Sequence, residues 1–227
     1  MKAIARFRGP SLIMLATVHI LIFVAGLVAA ATLRHGAPYV TPFAPAEELR
    51  LFLEQSPTAV RVSNFSLFAS AIPFGIFAVT TVSRLRFMGV RAAGTNIALL
   101  GGLTATIALI LSGVVGWVLS VPEVSASAQV VKVVFFLCFL FGGAVYAVGF
   151  GLLAAGVSVT SAFMRLLPRW LVALGMLLAI TGELSSFSLI AYPANFFIPI
   201  TRYLGLIWMV SVAVALTRNH TVENAAA

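Results

Sequence analysis

The chain has 227 residues, of which 61% are apolar and only 9% charged, and its mean hydropathy is +1.11. A water-soluble domain carries about 25% charged residues, so this composition excludes an ordinary soluble fold and makes lipid the solvent for much of the surface. The formal net charge of +8 does not point to nucleic acid. The basic residues sit in small groups at the ends of apolar runs, as membrane orientation signals do, without the aromatic and basic interleaving that binds single strands.

A helix needs about 20 apolar residues to cross the hydrocarbon core. Six stretches qualify, at about 11–32, 63–83, 95–120, 128–157, 169–191 and 197–217. The runs are continuous rather than alternating, so helices are expected and not a barrel. The first run follows a basic segment that resembles a signal-peptide start, but it exceeds the roughly 7–15 residues of a cleaved apolar region and reads as a membrane helix. The expected fold is an all-α, polytopic transmembrane bundle of six helices, forming a single domain over residues 1–227.

Orientation follows from Lys and Arg. Lys2, Arg6 and Arg8 precede the first run, Arg84, Arg86 and Arg91 separate the second from the third, Arg165 and Arg169 separate the fourth from the fifth, and Arg218 follows the sixth. With six spans all of these fall on one side, which predicts that both termini are cytoplasmic. The other side carries Arg34, Arg50 and Arg61, offset by Glu47, Glu48, Glu54 and Glu123.

The long outer loop, 33–62, opens on the Pro-rich HGAPYVTPFAP. A short amphipathic helix is expected at about 46–55. Pro45 suits its start, and Glu47 and Glu48 suit the positive end of its dipole. Leu49, Phe52 and Leu53 share one face; Glu47, Arg50 and Glu54 share another. Such a helix is either a packed connector or a gating lid. Pro73, within the second run, removes a backbone hydrogen bond and kinks the helix, which frees carbonyls near Asn64, Ser66 and Ser70. The glycines of the third and fourth runs permit close helix approach.

The residues that stand out chemically are few. The chain has no Asp and six Glu, and Glu183 falls inside the fifth apolar run. Arg202 falls inside the sixth, across the short turn YPANFFIP. Both lie roughly 8–12 Å below the outer surface at ~1.5 Å per residue. A charge at that depth needs a partner, so the two are expected within about 4 Å of each other, facing the bundle interior. Ser186 and Tyr203, with Thr181, Ser185 and Thr201, would add hydrogen bonds. The group is either a polar pocket for a headgroup, an anion or a proton, or an ion pair that locks the hairpin. His19, near mid-membrane, is a proton relay, a haem ligand or a satisfied polar contact. A bis-His haem has no second intramembrane His, and Met14, Met176 and Met209 read as packing residues. Lys132 either snorkels to headgroups, neutralises Glu123 or lines the pocket around Glu183. No catalytic residue, metal or cofactor is expected. The chain has no phosphate-binding Gly loop followed by Lys, no HExxH, no nucleophile elbow and no Cys cluster.

The C-terminal third contains LPRWL (Leu167 to Leu171), Gly182-Glu183, and a following helix that opens PITRYLG (Pro199 to Gly205). In these elements, over residues 167–210, it resembles an uncharacterised family of bacterial six-helix integral membrane proteins grouped as a domain of unknown function. The resemblance implies a multi-pass protein of the bacterial inner membrane and carries no activity. Three functions are compatible with the residues. The first is non-enzymatic binding or transport of a small amphipathic molecule or lipid through a pocket built from Glu183, Arg202, Tyr203, Ser186 and His19. The second is an accessory subunit that docks on partner subunits in a larger membrane complex. The third is a membrane-embedded enzyme using Glu183. Membrane lipids are the expected surroundings, and nucleic acid is not an expected partner.

Overall fold

A computed structural model describes residues 7, 9–36, 38 and 40–225, with the side chains of 219–225 left aside. Lys2, Arg6 and Arg8 lie outside the described residues. The described chain is helical throughout, with no strand. Its elements are α1 (Leu12–Leu33), α2 (Ala46–Gln55), α3 (Pro57–Phe87), α4 (Ala93–Val118), α5 (Pro122–Ser125), α6 (Ala128–Leu140), α7 (Tyr146–Met164), α8 (Arg169–Leu184) and α9 (Phe197–Ala225). A π-helical turn, Phe141–Val145, joins α6 to α7, and two 3-10 turns, Ser185–Leu189 and Tyr192–Phe196, join α8 to α9.

Six helices are long and apolar enough to cross a membrane: Leu12–Leu33, Pro57–Phe87, Ala93–Val118, Ala128–Met164, Arg169–Leu189 and Tyr192–Arg218. Three are longer than expected from the sequence: the second, the fourth and the sixth, which takes in the 3-10 turn Tyr192–Phe196. The second begins at Pro57 because Pro suits the first turn of a helix and the Ser56 carbonyl accepts from the Val60 N–H at 3.1 Å. The fourth runs on to Met164, where Arg165 ends it with a left-handed φ of 54°.

The six spans close into a ring. α1 packs on α3, α3 on α4, α4 on α7, α7 on α8, α8 on α9, and α9 returns to α1. Small residues set the tightest of these contacts. A Cβ on Gly101 of α4 would lie 2.4 Å from the Leu153 backbone nitrogen and 2.5 Å from the Gly149 carbonyl of α7, so the two backbones touch with nothing between them. Inside the ring stand Phe74, Phe77, Tyr146, Phe150 and Trp208, all fully buried. Phe150 joins them, with its ring centroid 5.9 Å from those of Phe74, Tyr146 and Trp208. For a bundle surrounded by lipid such cohesion would come from packing and polar contacts, since tails are as apolar as the side chains.

The two ends of the bundle differ. One end carries Arg84, Arg86, Arg91, Arg165 and Arg169 in the α3–α4 and α7–α8 connections. There Arg84 donates to the Thr217 hydroxyl at 3.2 Å and Arg86 to the Asn96 side-chain oxygen at 2.6 Å. The other end is roofed by α2. Leu49, Phe52 and Leu53 are buried and form a second small core with Val40, Val60, Leu119 and Val131. The opposite face of α2 carries Arg50, which bonds to both Glu47 and Glu54. Lys132 of α6 fastens the loop before α2, donating to the carbonyls of Pro42, at 2.9 Å, and Ala44, and lying over the Phe136 ring. It therefore clamps the loop, and among the described residues it makes no ion pair with Glu123.

Candidate functional site: a groove with a guanidinium at its floor

Under the α2 roof is a groove of about 390 Å³. α1 contributes Phe23 and Leu27, α3 contributes Ser63, Asn64 and Leu67, and α6 contributes Phe135, Cys138 and Phe139. Ser112 of α4, the glycine pair Gly142-Gly143, and Ile198, Pro199, Arg202 and Tyr203 of the last span also line it, with Arg34 after α1, Phe52 of α2 and Pro42. None of its lining residues is acidic.

Arg202 is half-buried and held from three sides. Its Nη2 donates to the Gly142 carbonyl, and its guanidinium lies 4.8 Å from the ring centroid of Tyr146 and 5.8 Å from that of Phe23. The carbonyl is open to a side-chain donor because of the π turn. In a regular helix the Tyr146 N–H would bond to Gly142; here it reaches back to Phe141 and to Gly143 instead. Single π turns of this kind are frequent at functional sites. A Cβ at 142 would sit 2.4 Å from the Ser112 hydroxyl and would displace it. Ring faces stabilise a cation by ~0.5–2 kcal/mol each. An intramembrane Arg costs at least about 2.5–3.5 kcal/mol on the lenient scale. Two rings and a carbonyl therefore make the site tolerable for the cation without supplying a counter-charge.

A polar network stiffens the groove wall. The Ser112 hydroxyl donates to the Cys138 carbonyl at 2.9 Å, and the Cys138 thiol lies 3.3 Å from the Ser112 carbonyl. The Asn64 amide donates to the Val60 carbonyl at 2.8 Å. Beneath the groove a chamber of about 10 Å³ is bounded by His19, Phe23, Leu109, Tyr146, Arg202 and Leu206, room for about one water.

The sequence-predicted site residues divide into two groups. Arg202 and Tyr203 line the groove, and His19 lies directly below it. His19 Nδ1 donates to the Ser70 carbonyl at 2.8 Å, one turn before Pro73. Of its three candidate roles the structure displays the polar contact, made to one of the carbonyls around the Pro73 site. Glu183 and Ser186 do not line the groove. Glu183 is exposed, and no ion pair joins it to Arg202 among the described residues; the Ser186 hydroxyl turns back onto the Glu183 carbonyl at 2.6 Å.

The expected Glu183–Arg202 pair is thus corrected, and the reason is helical phase. Thr181 meets α9 through a 2.9 Å hydrogen bond from the Thr201 hydroxyl, and Gly182 meets α7, where its Cβ would lie 2.6 Å from the Ala147 carbonyl. At about 100° per residue, the next position turns away from both neighbours. Glu183 falls on a stripe with Met176, Leu177, Ile180 and Phe187, all exposed on the outer face of the bundle. Sequence reading missed Tyr146 and Ser112, and it marked Asn64 only as a neighbour of the carbonyls around Pro73. The Gly142-Gly143 pair was visible as a small-residue contact, but nothing in the periodicity marks a π turn.

Among the described residues no three His, Cys, Asp or Glu side chains come together as metal ligands would. No family model, curated protein or solved structure matches the chain, so the resemblance over residues 167–210 rests on its motifs alone.

Proposed function

We propose that this is a non-enzymatic, multi-pass protein of the bacterial inner membrane, with both termini cytoplasmic, that binds or moves a small amphipathic molecule or lipid through the groove under α2. The observation that carries this reading is the pairing of an intramembrane guanidinium with apolar walls in one cleft of about 390 Å³, within the roughly 300–1,000 Å³ of ligand sites. Arg202, Tyr203 and the groove wall replace Glu183 and Ser186 as the binding residues. The inward placement of both termini is supported by the basic connections gathered at the end opposite α2. Cysteine labelling at Gln55 and near Ala226, which lies outside the described residues, should report opposite sides of the membrane; labelling from one side overturns the orientation.

The test of binding is direct. Detergent-purified protein is extracted and its co-purifying molecules identified by mass spectrometry, beside a Ser63→Trp variant that fills the groove. A small amphiphile or lipid at about one per chain, lost in the variant, is expected. Identical molecules in identical amounts in both proteins would remove the groove from consideration.

A second reading, an accessory subunit, is favoured by Glu183 alone. An acid on an outward apolar stripe is costly against lipid and suits a neighbouring membrane helix that bears a cation. Retention of a partner through gentle purification, and its loss in Glu183→Leu, is the expected result for that reading.

A further inference from the structure

The charge inventory of the groove narrows the ligand further. Its lining includes two arginines, Arg202 and Arg34, and no acidic residue among the described residues. An arginine presents five N–H donors in a planar fork. Arg202 spends one of its nitrogens on the Gly142 carbonyl and rests its face on Tyr146 and Phe23, which leaves further N–H donors on a residue that lines the groove. Guanidinium forks match carboxylate and phosphate oxygens in pairs. The Gly142 carbonyl and the two rings fix the guanidinium in place without neutralising it, which is the preparation that lowers the ordering cost of binding an anion. Away from Arg202 the wall is largely apolar, through Leu27, Leu67, Phe135, Phe139 and Ile198, with Ser63, Asn64 and Ser112 as uncharged polar members. The volume of about 390 Å³ lies near the low end of ligand sites, which favours a single-chain ligand.

We propose that the groove selects an anionic single-chain amphiphile, whose carboxylate or phosphate head lies against Arg202 and whose tail follows the apolar wall. This rests on the groove being a binding site, and it goes beyond that reading by assigning the charge and the chain number of the ligand. Arg202 supplies selection by charge, and the tail supplies affinity through burial.

The experiment titrates the full-length protein in detergent with hexadecanoate, hexadecyl phosphate, hexadecanol and inorganic phosphate, following complex formation by native mass spectrometry. Wild type, Arg202→Gln, Arg202→Lys and Ser63→Trp are compared. At least one ionised amphiphile is expected to bind about 10- to 100-fold more tightly than hexadecanol, the range of a charged hydrogen bond, and the tighter of the two identifies the head. Arg202→Gln should erase that preference, and Arg202→Lys should keep part of it. The wild-type comparison of hexadecanoate with hexadecanol decides the matter even if Arg202→Gln does not fold. Equal binding of hexadecanol and both anions, weakened throughout by Ser63→Trp, overturns anion selection and leaves the groove standing as a site. Amphiphile binding unaffected by Ser63→Trp overturns the groove reading itself. Inorganic phosphate binding as tightly as hexadecyl phosphate overturns the amphiphile and makes this a free-anion site.

Discussion

The Thr201 hydroxyl donates to the Thr181 hydroxyl at 2.9 Å between two buried side chains, and this contact sets the rotation of α8 against α9. With Thr181 committed to α9 and Gly182 to α7, Glu183 is turned outward and Arg202, one position past Thr201, is turned into the groove. The two charges lie on different faces of the hairpin.

Energetic independence of the two charges is the first consequence. Removing Glu183 as Gln or Leu should leave thermal stability in detergent unchanged or slightly raised. A double-mutant cycle with Arg202→Gln should give a coupling within about 0.5 kcal/mol, as for separated sites. A coupling above about 1 kcal/mol would place the two side chains in contact and contradict the rotation described above.

The α4–α7 contact should tolerate no added methyl group. Gly101→Ala puts a Cβ against backbone atoms at 2.4 and 2.5 Å, which neither helix can move locally, and overpacking of this kind costs about 1–3 kcal/mol. Gly143→Ala meets side-chain atoms alone, Ile198 at 3.2 Å and the Phe139 ring at 3.6 Å, and should be near neutral. Comparing thermal unfolding of the two variants checks the contact; equal losses would mean the helices are not so close.

Lys132 should hold the roof over the groove. Lys132→Met removes the charged donor to the Pro42 and Ala44 carbonyls, bonds of a type that contribute about 1.5–3 kcal/mol. Faster amide exchange through residues 46–55, with the spans unaffected, is the expected reading. Unchanged exchange there would show that the apolar contacts of Leu49, Phe52 and Leu53 suffice to hold α2.

Acidification should loosen α2 before the bundle. The hydrogen bond from Arg50 holds the Glu47 carboxyl below the usual Glu range. A carboxyl held low in the folded state stabilises that state above its unfolded pKa and loses the contribution as pH falls through the folded one. Protection of α2 amides should therefore decline as pH drops from the ordinary Glu range downward, by a small amount because the pair is exposed to water. Glu47→Gln should flatten the decline. A decline of the same size in that variant would assign the effect to another group.

Composition, run length and the clustering of Lys and Arg determined by themselves that the chain is all helical, that six of its helices can cross a membrane, and that one end of the bundle is basic. These are one-dimensional properties: a span is a matter of about 20 apolar residues in succession, and each residue contributes whatever its neighbours are. The spacing of Leu49, Phe52 and Leu53 likewise specified the buried face of α2, because a helix repeats every 3.6 residues. The site was legible only in part. Arg202 and Tyr203 stood out as polar groups in an apolar run, but depth along a helix carries no information about direction around it. Which way Glu183 points depends on how Thr181 meets Thr201 and how Gly182 meets α7, contacts between segments that sequence periodicity does not register. The π turn that presents the Gly142 carbonyl to Arg202 is decided in the same way: the extra residue in the turn is accommodated by packing against Ser112 and α9, so only the tertiary structure could assemble the groove around its guanidinium.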